Sequence, residues 1–186
     1  LILGVYFSKK FPTQNILLTA LLFSWIGDVI LLFSDIGEIY FILGLVSFLI
    51  SHLLYCVLFN RQFKEKMKRN TIIFIIGSIL IACYLVGMLS VLLPSLGDLK
   101  IPVIVYASVI SVMLLFAYNG LMIWKKPGNQ YVFIGALFFV ISDSILALNK
   151  FHTPFKKSSF IIMLTYLVAQ YLIVIGILKL NSKKEL

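Results

Sequence analysis

The stretch that decides the fold is TALLFSWIGDVILLF, residues 19–33, together with its counterpart GALFFVISDSILALN, residues 135–149. Extended into its neighbours, each is long enough to cross a hydrocarbon core of about 30 Å as a helix. Each holds one carboxylate, Asp28 and Asp143. A charged group at membrane depth costs roughly 3 kcal/mol or more unless it is paired, wetted or protonated, so intramembrane acids are functional candidates by default. Asp35, Glu38, Glu65 and Asp98 fall instead beside Gly, Pro or Lys and read as solvated surface charge.

Composition agrees with these two segments. Hydrophobic residues make up 61% of the chain, charged residues 12%, and mean hydropathy is +1.07, far from the balance of soluble proteins. Six full spans are expected, at residues 13–33, 39–60, 71–93, 101–124, 129–149 and 158–180, with a partial one at 1–7. Unbroken apolar runs select helices, because a barrel strand would alternate in polarity. The expected fold is an all-α polytopic transmembrane bundle, one domain over residues 1–186, with a further segment upstream of Leu1. Cys56 and Cys83 lie in apolar runs without CxxC spacing and read as small hydrophobes.

The loops alternate in basic content. Lys9, Lys10, Arg61, Lys64, Lys66, Lys68, Arg69, Lys125, Lys126, Lys179, Lys183 and Lys184 fall on one side, and Lys100, Lys150, Lys156 and Lys157 on the other. The positive-inside rule makes the first side, with the C-terminus, cytoplasmic. The expected location is a bacterial cytoplasmic membrane. The net charge of +9 is then topology and attraction to anionic headgroups. No nucleic-acid partner is expected, because the charges scatter over loops instead of forming a stripe.

The two acid-bearing spans point the same way and hold their acids roughly 8–9 Å of helix rise from the same membrane face. Aligning Asp28 with Asp143 pairs Leu22 with Leu137, Phe23 with Phe138, Ile26 with Ile141 and Ile30 with Ile145, and each acid follows a small residue, Gly27 or Ser142. In the spans that follow, FLISHLLY and YLVAQYLI align His52 with Gln170. A parallel repeat is expected, bringing both acids and both polar residues around a shared centre with the acid-bearing helices as neighbours. Taken singly, His52 and Gln170 also suit interhelical hydrogen bonding. Ser24, one turn before Asp28, and Ser142 and Ser144, beside Asp143, offer hydroxyls to orient the carboxyls. Tyr106, Tyr166 and Tyr171 are candidates to line a polar cavity near them.

Several chemistries lack their residues. HExxH is absent, two histidines do not make a His-rich zinc site, and GxSxG is absent. Intramembrane aspartyl proteases carry GxGD, whereas Trp25-Ile26-Gly27-Asp28 lacks the first glycine. No metal or cofactor is expected. Two acids at equal depth also describe a proton-coupled transporter, although such sites usually come with broken helices and the acid-bearing spans carry no proline. A structural protein with buried Asp as packing glue is a third possibility.

The set LLFSWIGDVILL, SHLLY, GALFFVISDSILALNKF and YLVAQYLI resembles the YhhN-like family of lysoplasmalogenases, in the family's order and over nearly all of the chain. The resemblance implies a polytopic bundle that hydrolyses the vinyl ether of a lysoplasmalogen, a lysophospholipid with one alkenyl chain. It implies Asp28 and Asp143 as the catalytic positions. Vinyl ether hydrolysis is acid-catalysed, through protonation of the β-carbon and addition of water to an oxocarbenium ion. A carboxyl pair sharing one proton supplies a neutral donor and a charged stabiliser together.

Overall fold

A computed structural model of the protein describes residues 1–63 and 70–182. Glu65, Lys64, Lys66, Lys68, Arg69, Lys183 and Lys184 lie outside the described residues. The rest is helical: α1 (Ile2–Tyr6), α2 (Gln14–Leu31), α3 (Glu38–Arg61), α4 (Thr71–Leu92), α5 (Lys100–Ile123), α6 (Gly128–Phe151) and α7 (Ser158–Asn181). Helices α2 to α7 are long and apolar enough to cross a membrane, which marks an integral membrane protein. Their ends fall within a few residues of the sequence expectation. The largest consequence of that offset is at α6, which runs on to Phe151 and so carries Lys150 in its last turn instead of in the loop.

Local chemistry sets several boundaries. The Asn70 side chain caps α4, accepting from the amides of Ile72 at 3.1 Å and Ile73 at 3.2 Å. At the other end of α4, Pro94 lacks an amide proton to continue the ladder, and the chain passes through two short 3₁₀ turns, Leu93–Ser95 and Gly97–Leu99, into α5. Gly97, the first residue of the second turn, takes φ +51, a conformation that suits glycine.

Packing follows the logic of lipid, in which apolar surface gains nothing by turning inward. Helix α4 is the most apolar span, yet Leu92 is its one buried residue. The interior collects small and polar side chains: Ser24, Ser47, Ser51, His52, Ser142 and Gln170 are all buried. Helices α6 and α7 touch almost backbone to backbone. A β-carbon at Gly135 would sit 2.9 Å from the Ala169 carbonyl oxygen, and one at Gly176 would sit 2.8 Å from the Val132 nitrogen. Helices α2 and α3 form a second close pair, where Ser47 and Ser51 donate to the Phe23 and Ala20 carbonyls at 2.6 and 2.9 Å.

Helix α5 packs on α3, α4 and α6. The expectation that the two acid-bearing helices are neighbours is corrected here: α2 and α6 are not among the closely packed pairs. Each is backed by its own sequence neighbour, and the halves meet through side chains of α3 and α7, such as Phe48 against Tyr166 at 5.8 Å between ring centres.

Candidate active site

Asp28 and Asp143 line one cavity of about 390 Å³ between the two helix pairs. Each is gripped by a tyrosine from a different helix. Tyr166 of α7 donates to Asp28 Oδ2 at 2.9 Å, and Tyr106 of α5 donates to Asp143 Oδ2 at 2.5 Å. Both acids are half-buried, the Asp143 side chain with 14% of its surface exposed.

Behind Asp28 the hydrogen bonds form a directed chain. Ser51 donates to the Ala20 carbonyl, which leaves its oxygen to accept from Ser24 at 2.7 Å. Ser24 in turn accepts from Gln170 Nε2 at 2.8 Å, and Gln170 Oε1 accepts from Tyr55 at 2.5 Å. The Gln170 amide also reaches the Tyr166 oxygen at 3.4 Å. Every hydroxyl proton in the set has an acceptor, and Tyr166 is left to point its own at Asp28. A network satisfied in this way fixes the phenol where the carboxyl needs it.

Behind Asp143 stands His52. Its Nδ1 lies 2.7 Å from the Phe48 carbonyl oxygen, which only accepts, so Nδ1 carries a proton. In the neutral ring Nε2 is then a bare lone pair. That atom is buried, lacks a hydrogen-bond partner among the described residues, and faces Asp143 Oδ2 at 3.7 Å. The ring is wedged edge-on against Phe139 at 4.7 Å and Tyr106 at 5.4 Å. An acceptor held there meets a protonated Asp143 more favourably than it meets a second set of lone pairs.

Asp143 also borders a second space. On its other side a narrow slot with about 60 Å³ of room runs among mostly apolar side chains of α3, α4, α5 and α6, including Leu45, Met88, Val103 and Val140. The acid thus stands where a polar cleft and an apolar slot meet.

The serines predicted to orient the carboxyls do other work. Ser24 serves Ser51 and Gln170, Ser142 donates to the Ile162 carbonyl at 3.0 Å, and Ser144 bonds Tyr84 and the Val140 carbonyl. Their hydroxyls are taken up by carbonyls and side chains of the facing helices, and phenols from α5 and α7 hold the carboxyls instead. Tyr171 is 54% exposed and does not line the cavity. Tyr55, Ser51 and Tyr84 belong to these networks and were not singled out from sequence, because tyrosine and serine are common at membrane-helix contacts. Asp35 is exposed, as expected, and also stands on the cavity rim.

The chain matches the YhhN family over residues 1–177. Lysoplasmalogenase TMEM86A of Homo sapiens is 32% identical over 98% of this chain and 73% of its own length, and that of Bos taurus is 33% identical over the same shares. Lysoplasmalogenase TMEM86B of Homo sapiens is 31% identical over 86% of this chain and 62% of its own. No solved structure gives a significant match. The family match takes in α2, α3, α6 and nearly all of α7, the helices that build the cavity, and the chain belongs to the YhhN family.

Proposed function

We propose that this protein hydrolyses the vinyl ether of lysoplasmalogens, releasing a fatty aldehyde and a glycerophosphoethanolamine or glycerophosphocholine, with Asp28 and Asp143 as its acid–base pair. The observation that carries the reading is the shared cavity, in which two intramembrane acids from different helix pairs are each held by a tyrosine. The names of the relatives supply the substrate class.

The roles divide by surroundings. Asp143, backed by the His52 lone pair, is the resting proton donor. Asp28, which accepts from Tyr166 at the end of a donor chain, is the resting carboxylate. Asp143 protonates the β-carbon, and the double-bond electrons shift so that the α-carbon and ether oxygen share the positive charge. The Asp28 carboxylate stabilises that cation and takes a proton from water as the water oxygen bonds to the α-carbon. In the hemiacetal, Asp28 then protonates the ether oxygen while Asp143 takes the hydroxyl proton. The carbon–oxygen bond breaks to aldehyde and alcohol, one water is consumed, and both acids return to their starting states. The alkenyl end lies toward the apolar slot, and the glycerol lies in the polar cleft.

The test is incubation of purified protein with lysoplasmalogen and with its ester-linked analogue. Aldehyde is expected from the first and nothing from the second, because the mechanism forms no acyl intermediate. In deuterium oxide the aldehyde gains one deuterium at its second carbon. In oxygen-18 water the glycerol product stays unlabelled, because the vinyl side of the ether is the side that breaks. Label in the glycerol, or cleavage of the ester, overturns the mechanism. Absence of aldehyde, with proton-coupled uptake into proteoliposomes lost in Asp28→Asn and Asp143→Asn, replaces it with transport.

A further inference from the structure

The cavity that holds the acids reaches the membrane face at which α6 ends. Among the described residues lining it, the cation is Lys150. Its Nζ sits 4.9 Å from the centre of the Phe41 ring. Phe41 is itself buried, packs edge-on against Phe151 at 5.6 Å, and lines the same cavity. A ring face holds an ammonium in place without neutralising it. Lys150 also borders a neighbouring pocket that Glu38 and Asp98 line, but among the described residues no carboxylate comes within ion-pair distance of it, so its charge is available to an anion in the cleft.

We infer that Lys150 is the phosphate-binding residue of this site, holding the phosphodiester of a single-chain ether lipid so that the vinyl ether falls at Asp143. The inference rests on the hydrolase reading above and adds what selects the substrate. Lys150 follows Asp143 by seven residues, which places it on nearly the same stripe of α6 and roughly 10 Å further along the axis. Helical side chains lean toward the N-terminus, so the lysine leans back along the two turns that separate it from the acid. In the substrate seven bonds separate the vinyl β-carbon from phosphorus, roughly 8–9 Å when extended. The two spans match. Asp35 stands on the same rim, so a headgroup that carries its own cation beside the phosphate meets both signs of charge.

A phosphate gripped at that distance takes no part in bond breaking. Its contact is equally strong in the ground and transition states, and its loss appears in KM. The experiment compares alkenyl-glycerophosphoethanolamine with the same alkenylglycerol lacking phosphate. Wild type is expected to favour the phospholipid. Lys150→Gln is expected to raise KM for it about ten- to a hundredfold with kcat nearly unchanged, and to leave the alkenylglycerol as it was. Lys150→Arg restores most of the loss. Equal losses on both substrates, or no loss on either, overturn the assignment. Absence of aldehyde from both substrates with wild type overturns the hydrolase reading beneath it, a result visible before any Lys150 variant is made.

Discussion

Tyr166 shows how closely the carboxyls depend on single hydroxyls. Its phenol is the one hydrogen bond to Asp28 among the described side chains, and it is aimed by Gln170. Tyr166→Phe keeps the ring contacts to Phe48 and Phe139 and removes that donor. A hydrogen bond to a charged group contributes about 1.5–3 kcal/mol, so kcat for aldehyde release is expected to fall roughly ten- to a hundredfold with the melting temperature little changed. His52→Phe makes the matching test on Asp143. The wedge against Phe139 survives, the lone pair is lost, and kcat is expected to fall while stability in detergent holds. The acids themselves were legible in the sequence, since charge stands out in an apolar run. The phenols were not. Tyr166 and Tyr171 are five residues apart, about 140° around a helix, and sequence does not state which of them turns inward.

Helices in this chain are apolar on every side, so their existence and ends could be read while their inward faces could not. The sequence marks of an inward face here are small residues, because in lipid close approach replaces hydrophobic burial. Gly135 meets the Ala169 carbonyl and Gly176 meets the α6 backbone. Gly135→Val is therefore expected to force α6 from α7 and to destabilise the protein by about 1–3 kcal/mol, seen as a lower melting temperature in detergent. Asp143, two turns further along α6, should lose its register with Tyr106, so activity falls as well. Gly27 has a softer neighbour. A β-carbon there would meet the Phe48 ring at 2.8 Å, and that ring can turn, so Gly27→Ala should cost activity more than stability.

At the scale of the molecule, the sequence's weak internal likeness suggested a centre with α2 beside α6, whereas the packed pairs are α2 with α3 and α6 with α7. Apolar matches between spans carry little information on helix order, because lipid makes every span apolar. The charge asymmetry of the loops is the more direct signal of orientation. With Cys83 replaced by serine, a cysteine at Lys125 is expected to resist an impermeant reagent added outside the cell, and one at Thr153 is expected to react. The reverse pattern inverts the topology while leaving both acids near one face. The site itself is a whole-molecule property, since Asp28 comes from one helix pair and Asp143 from the other, and neither pair builds a cavity alone. The most direct test is therefore aldehyde release from lysoplasmalogen by Asp28→Asn, Asp143→Asn and the double variant, each checked for folding. Each single variant is expected to lose on the order of 10²–10⁴-fold in kcat, and the double variant is expected to lose little more than either alone. Wild-type aldehyde release in both single variants would contradict the account.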